Sequence, residues 1–306
     1  MAERAAALAV AVGTDISMGE LGGSWHPVAI VGRLLEQSYR PWRGRAPLIE
    51  FAGGAGALMA VTALAAGLAW AVERGAGRAA TRAPVVGFAL KPTFSIRRLL
   101  YEGRGVADSL EADRLNEARE RLRALVSRPT ASLTPELAAA AAIESLAENL
   151  ADSVAAPLLF YLLFGLPGAA AYRVVNTADA MFGYRGETEW LGKPAARLDD
   201  LLNWLPSRLS ALALTGAAFI SGGKAPALRA WRIWRRDAGR TASPNAGRPM
   251  AAMAGALGRR LEKSGHYVLG EGLPEPGAED IRAAVRIAGL AAGLLVAAAL
   301  VAGAKR

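Results

Sequence analysis

Cysteine is missing from all 306 residues, and histidine occurs only as His26 and His266. Disulfides, thiolate metal sites and a cysteine nucleophile are thereby excluded, and two histidines are too few for a histidine-based metal centre. No Gly-x-Ser-x-Gly elbow occurs. Gly53-Gly54-Ala55-Gly56 is not followed by Gly-Lys-Ser/Thr, so it is no phosphate loop. Acid is in deficit: 27 Asp and Glu face 36 Lys and Arg, for a net charge of +9. The basic residues are scattered between apolar segments without a nucleic-acid reading motif, which argues against nucleic acid. Two accounts of the charge remain, cationic loops kept on the cytoplasmic side and a site for phosphates and carboxylates. No repeat of fixed period is visible.

Apolar residues are plentiful. The hydrophobic set reaches 53% before 34 glycines are added, against roughly 45–50% with glycine included in soluble domains. Phe51 to Val72, Ser153 to Tyr172 and Ile287 to Gly303 hold no charge, and a bilayer is crossed by roughly 17–25 such residues. Leu209 to Gly223 and Ala5 to Thr14 are shorter and suit either a membrane-embedded or a buried core helix. The expected fold is all-α, one polytopic membrane domain over residues 1–306 with four or five embedded segments. Met1 to Arg4 and the apolar stretch behind them resemble a signal peptide. Asp15 interrupts that run and no small-residue cleavage site follows, so it is expected to stay uncleaved.

The polar segments set the organisation. Asp108 to Arg123, dense in charge and free of Pro and Gly, predicts a water-exposed amphipathic helix. Arg128-Pro129-Thr130 breaks it, and a second helix starts with Thr134 as N-cap and Pro135 at the first helical position. Within Ser153 to Tyr172, Phe164-Gly165-Leu166-Pro167-Gly168 punctuates the helix. The twelve residues before that break reach about 18 Å, short of the ~30 Å hydrocarbon core. A re-entrant hairpin over 153–181 is therefore expected, returning Asn176 and Asp179 to the side that holds Glu148 and Asp152. A further helix is expected from about Pro249 to Lys263.

Four constellations carry candidate chemistry. Glu144, Glu148 and Asp152 lie four apart on one helix face with Asn149 beside them, and acids in register repel unless a cation sits opposite. A solvated face is the ordinary reading, but this helix runs straight into an apolar segment. Asn176 and Asp179 share a second face. Arg197, Asp199, Asp200, Asn203 and Arg208 form the third group, whose oxygen ligands suit Mg²⁺ together with phosphate oxygens and water. Ser243-Pro244-Asn245-Ala246-Gly247 precedes a helix, where backbone N–H groups suit a phosphate and an ordinary turn is equally admissible. Ionisable groups beside membrane segments are functional candidates by default.

These residues resemble the CobD/CbiB adenosylcobinamide-phosphate synthases. The resemblance is carried by Ile143-Glu-Ser-Leu-Ala-Glu-Asn149 with Asp152 and Pro157, and by Pro167-Gly168 through Tyr172, Asn176, Asp179 and Tyr184. Ala196-Arg197-Leu-Asp199-Asp200 with Asn203, Pro206 and Arg208 continues it, as do Ser243 to Gly247, Met250 to Leu257, His26-Pro27-Val28 and Gly32-Arg33. It spans nearly the whole chain in order. The family usually has Arg-Asp-Thr where Arg128-Pro129-Thr130 stands, His-Pro where Thr241-Ala242 stands, and an aromatic residue at Arg248.

The resemblance implies a carbon–nitrogen ligase of cobalamin biosynthesis in the inner membrane, multi-pass. Adenosylcobyric acid would be joined to 1-amino-2-propanol or its phosphate, with ATP as substrate and Mg²⁺ as cofactor. Glu144, Glu148 and Asp152 would be catalytic, with Glu144 or Glu148 as the base for the amine. Asp179, Asp199, Asp200 and Asn203 would hold metal. Asn149, Asn176, Tyr184, Arg185, Arg197, Arg208, Ser243, Asn245 and Gly247 would bind substrate and phosphate. The bilayer is an implied partner, other late cobalamin enzymes are candidate partners, and an oligomer is left open. Two rival readings are a Mg²⁺-dependent membrane prenyl- or phospho-alcohol transferase and a non-catalytic AmpE-like regulatory protein. In the latter the acids would be structural pairs.

Overall fold

The computed structural model describes residues 2–20, 25–77, 79–126, 128–184, 186 and 188–305. It is all-α apart from one small β-hairpin. Helices long and apolar enough to cross a membrane lie in Pro47–Gly75, Pro135–Phe182 and Ala278–Lys305. The shorter apolar runs lie in α1 (Ala2–Met18) and α10 (Trp204–Gly222), outside those three. The chain divides into two compact units that interleave in sequence.

One unit comprises Met1–Ser95, Ala156–Asn203 and Ala298–Arg306. It contains α1, α2 (Pro27–Tyr39), α3 (Pro47–Gly75), α4 (Ala79–Leu90), α8 (Ala156–Phe182) and α9 (Glu189–Leu202). His26 caps α2 by accepting from the Val28 amide at 3.3 Å, and Pro27 occupies the first turn. The core gathers Leu35 and Tyr39 with Leu58, Val61, Val174, Val175, Phe182 and Leu191. The Tyr39 and Phe182 rings stack 4.4 Å apart. Met59, Leu64, Leu68 and Trp70, on opposite sides of α3, remain exposed, as suits a helix that meets lipid over much of its surface.

α8 is not one rod. Gly165 sits at φ 73°, ψ −161°, a conformation open in practice only to glycine. The Phe160 and Tyr172 rings stack at 5.2 Å, although twelve residues of straight helix would separate them by about 18 Å. The chain therefore doubles back at Gly165, as the Gly/Pro cluster predicts. A break frees backbone donors and acceptors that lipid cannot satisfy. Glu73 accepts from the Leu166 amide at 3.1 Å, and Arg4 donates to the Leu162 carbonyl. Two charges at the margins of apolar helices thus serve as caps.

The other unit comprises Ile96–Ala155 and Trp204–Ala297. It contains α5 (Ile96–Glu111), α6 (Leu115–Leu122), α7 (Pro135–Leu150), α10, α11 (Lys224–Asp237), α12 (Gly247–Leu257) and most of α13 (Ala278–Lys305). Thr134 caps α7 by accepting from the Leu137 amide at 3.3 Å, and Pro135 stands at the first turn. Ala138 to Ala142 are all buried, so α7 is central. A π-helical turn, Ala151–Ala155, follows.

Two expected boundaries are corrected. The single helix over 108–123 is two, because Asp113 at φ 54° breaks the chain between α5 and α6. The helix expected to reach Lys263 stops at Leu257, capped by Gly258 in the left-handed region at φ 70°. Strands β1 (Leu261–Lys263) and β2 (Tyr267–Leu269) then pair antiparallel, with Lys263 opposite Tyr267. Buried Asp237 anchors this hairpin, accepting from the Gly270 amide at 2.7 Å and from Arg236 at 2.8 Å. Burial acts to raise the Asp237 carboxyl, but those bonds and Arg240 outweigh it and hold it below the usual range.

Close backbone contact around α9 gives a packing test. A Cβ on Gly54 would overlap the Leu191 carbonyl, and one on Gly192 the Phe182 carbonyl, whereas one on Gly56 meets nothing within 4 Å. Gly54→Ala and Gly192→Ala should each destabilise by about 1–3 kcal/mol. Gly56→Ala should be neutral or stabilise by roughly 0.5–1 kcal/mol. Thermal unfolding in detergent reads the difference. Equal melting of the three variants would refute the close contact.

Candidate functional site

In the first unit, the returning arm of α8 and the last turn of α9 build one hydrogen-bonded chain. The four-residue spacing of Asp199 and Asn203 puts both on one helix face, and Asn203 donates to Asp199 Oδ2 at 2.9 Å. Asn176 donates to Asp199 Oδ1 at 3.3 Å, and the Tyr172 hydroxyl donates to Asn203 Oδ1 at 3.0 Å. Arg173 donates to Asn176 Oδ1 at 3.1 Å and, through Nε, to the Thr93 carbonyl at 2.8 Å. Thr93 sits on a short turn with buried Lys91, which pairs with Glu20 at 2.8 Å and Asp15 at 3.5 Å. Glu20 in turn meets His26 at 2.8 Å.

Burial raises the Asp199 carboxyl, and the Asp200 charge adds to the rise, while hydrogen bonds from Asn203 and Asn176 and the Arg173 charge oppose it. Among the described residues no three of His, Cys, Asp and Glu cluster to hold a metal ion. Mg²⁺ usually takes only one or two protein carboxylates, with phosphate oxygens and water completing its shell, and Asp199 with Asp200 supplies that number. Asp179 lies one turn before Gly183, where any side chain would collide with its carboxylate. Tyr184 and Arg197 are exposed, and Arg185 lies outside the described residues.

In the second unit, α7 presents Ala141, Glu144, Ser145 and Glu148 to a cavity of about 120 Å³. The opposite walls are Leu125, Val126, Arg128, Lys263 and Tyr267. Arg128 donates to Glu144 Oε2 at 2.9 Å, and both side chains are largely buried. Glu144 Oε1 is buried without a hydrogen-bond partner. Burial raises the Tyr267 phenol far above its ordinary value, and the Glu144 and Glu148 charges reinforce the shift. Asp152 falls in the π turn and does not line the cavity. Asn149 is tied inward, donating to the Ser145 carbonyl and hydroxyl at 3.0 Å each.

The Ser243–Gly247 loop is closed by its own hydroxyls. Ser243 Oγ accepts from the Asn245 amide at 3.2 Å, and Thr241 Oγ1 accepts from the Gly247 amide at 3.1 Å. Ser207 donates to Asn245 Oδ1 at 3.3 Å. The cationic element here is Arg208, stacked 3.9 Å over Trp204 and near enough to Arg248 for the two charges to repel.

Sequence reasoning missed Tyr172, Arg173, Lys263 and Tyr267 as site residues, and placed Arg128 in a helix break and a family motif without a site role. The arginine had a signal: three acids in register on α7 require a cation opposite.

The apolar helices and the carboxylates held among them define an all-α membrane protein with buried acidic sites. A family model described as CobD/CbiB protein matches residues 8–288. The chain is 57% identical over 162 residues to a cobalamin biosynthesis protein CobD of Dehalococcoides mccartyi, a match spanning about half of each protein (53% of this chain and 52% of that one). It is 38% identical over 284 residues to a probable cobalamin biosynthesis protein CobD of Pyrococcus furiosus, covering 92% of each. It is 40% identical over 270 residues to a cobalamin biosynthesis protein CobD of Geobacter metallireducens, covering 87% of this chain and 84% of that one. This chain belongs to the CobD/CbiB family. No solved structure matches it.

The Arg128–Glu144 pair yields a stability test. Removing one partner of a buried pair typically costs about 3–5 kcal/mol, whereas replacing both with apolar residues is often neutral. Arg128→Met should therefore melt early, and Arg128→Met with Glu144→Met should recover most of the loss. A double variant as unstable as the single would show that the pair is not buried as a unit.

Proposed function

We propose that this protein is an ATP-dependent ligase of cobalamin biosynthesis, embedded in the cytoplasmic membrane by several spans. It joins 1-amino-2-propanol or its O-phosphate to the propionate carboxylate of adenosylcobyric acid, giving adenosylcobinamide or its phosphate. The observation that carries this reading is the cavity on α7, where two carboxylates, one with an open oxygen, face a small space in a chain of this family. Such a space receives an ammonium group.

A carboxylate does not acylate an amine at neutral pH, so the acid must first be activated. A corrinoid carboxylate oxygen attacks the γ-phosphorus of ATP, ADP leaves, and an acyl phosphate results. The amine nitrogen then attacks the acyl carbon, the C–N bond forms and inorganic phosphate departs. The ammonium must lose a proton before attack, and Glu144 or Glu148 accepts it. Mg²⁺, when bound, would neutralise charge on the ATP oxygens. Asp199 and Asp200, with Asp179 and Asn203, are the residues proposed to hold it. Arg197 in one unit, and Arg208 with Arg248 in the other, are proposed to bind phosphate, the Ser243–Gly247 loop of the second unit offering no free amides of its own.

Purified protein incubated with a corrinoid acid, the amine, ATP and Mg²⁺ should form the amide together with ADP and phosphate. No amide under any condition would sink the proposal, and AMP with pyrophosphate would replace the acyl phosphate by an acyl adenylate. Asp199→Asn sharpens the test. Asparagine turns one accepting oxygen into a donor facing another amide, while relieving the burial of a charge, so stability should change by less than about 2 kcal/mol. Turnover should fall by about a hundredfold or more, the scale on which one charge-stabilising group acts. Full activity would move the nucleotide site away from Asp199.

A further inference from the structure

α11 is fixed on one side only. Ala230, Ile233, Trp234 and Asp237 recur at intervals of three and four, so they form one buried stripe. That stripe lies close against α12, where a Cβ on Gly255 would overlap the Ala230 backbone and the Arg229 carbonyl. Arg229 closes the contact, donating to the Gly255 carbonyl at 2.7 Å and to the Ala256 carbonyl at 3.2 Å. The helix is thereby held against rolling, and its opposite face is a fixed surface.

On that face Lys224, Leu228, Trp231 and Arg235 follow one another at helical spacing, with Arg232 and Arg236 alongside, and all are exposed. Trp231 is held in place, edge-on to Trp234 at 5.0 Å, with the Arg235 guanidinium 5.9 Å from its ring centre. Trp231, Arg232, Arg235 and Arg236 line a shallow recess. The helix has a single acid, Asp237, which is buried and pairs with Arg236 and Arg240. The outer face therefore joins cations to apolar side chains and carries no negative charge. It also continues an apolar surface: α10, separated from α11 by Gly223 alone, exposes Leu205, Leu212 and Phe219 at seven-residue spacing, with Ile220 beside them.

Charge and polarity together select the occupant. A second copy docking through the same face would set cations against cations. A wholly polar polyanion would leave Leu228 without an apolar partner. A bilayer surface bearing anionic lipid answers both, with headgroup phosphates for the cations and the acyl boundary for Leu228 and Trp231. Helices lying in the plane of the interface have this make-up, and tryptophan concentrates at that depth. Arginine stems can run along the apolar boundary while their charged ends stay among the phosphates. We infer that the outer face of α11 docks on anionic phospholipid headgroups, with Arg232 and Arg235 on the phosphates and Leu228 and Trp231 at the acyl boundary. Arg236 is left aside because it serves Asp237. The inference is independent of the ligase reading.

Because the chain lacks cysteine, Leu228→Cys in the full-length protein can be labelled there alone with a polarity-sensitive fluorophore. The labelled protein is placed in nanodiscs of phosphatidylcholine, with or without phosphatidylglycerol, whose leaflets are identical so that orientation is immaterial. Phosphatidylglycerol should shift the emission to the blue and increase quenching by brominated acyl chains, and added salt should weaken both effects. Arg232→Gln with Arg235→Gln should lose most of the response, since each cation near such a surface is worth about fivefold in affinity. Arg232→Lys with Arg235→Lys should keep it. Both pairs should melt with the parent in neutral nanodiscs. If the glutamine pair fails to fold, the lysine pair and the lipid dependence of the parent still decide. A label that stays in water in both nanodiscs, or responds equally to both, would overturn the inference. A blue shift in lipid-free detergent that grows with protein concentration would assign the face to a second copy instead. The same shift produced in neutral nanodiscs by inorganic phosphate would assign it to a soluble anion.

Discussion

The reversal at Gly165 is the constraint on which the unit around α8 depends. A straight α8 would carry Tyr172 some 18 Å beyond Phe160, away from the ring that it stacks upon. Only the doubled-back arm sets Tyr172, Arg173 and Asn176 beside Asn203, Asp199 and the Thr93 carbonyl. The turn in turn requires partners for its freed backbone, which Glu73 and Arg4 supply. One backbone conformation and two caps thus lie upstream of a whole polar network.

The charges in this chain divide by how completely they are answered. Lys91 faces two acids, Asp237 faces two arginines and an amide, and Asp199 receives an amide on each oxygen. Such groups are fixed in advance, and their neighbours are the reason that they tolerate burial. Glu144 is answered on one oxygen only. A carboxylate with one oxygen open to a cavity contrasts with those groups, and that contrast singles out α7 as a place for a ligand.

Much of this was legible beforehand. Gly165 through Gly168 announces the hairpin because Gly and Pro punctuate helices for local reasons. Thr134-Pro135 and His26-Pro27 announce helix starts for the same kind of reason. The Asp199–Asn203 pair follows from helical spacing alone. The β-hairpin was not legible, because strands of three residues are too short to show a period of two, and the good helix formers Arg259 to Lys263 behind Gly258 extend a helical pattern past its true end. Lys263 and Tyr267 were lost with it. The acids in register on α7 called for a cation opposite but not for Arg128 in particular, because its partner is sixteen positions away and the pairing is tertiary. The amides of the Ser243–Gly247 loop read as available only until the hydroxyls of Thr241 and Ser243 are placed in space.

The alanine run of α7 bears on how the chain can vary. Ala138 to Ala142 lie buried on every side of the helix, and as residues they add little to the apolar area removed from water. What they specify is distance. A methyl group on each face lets neighbouring helices approach more closely than leucine would allow, at no loss of side-chain freedom. The alanine-rich composition is therefore less a measure of greasiness than a ruler. Exchanging these alanines for larger hydrophobic residues would leave the hydropathy of the sequence intact while changing the spacing that aligns Glu144 with its surroundings.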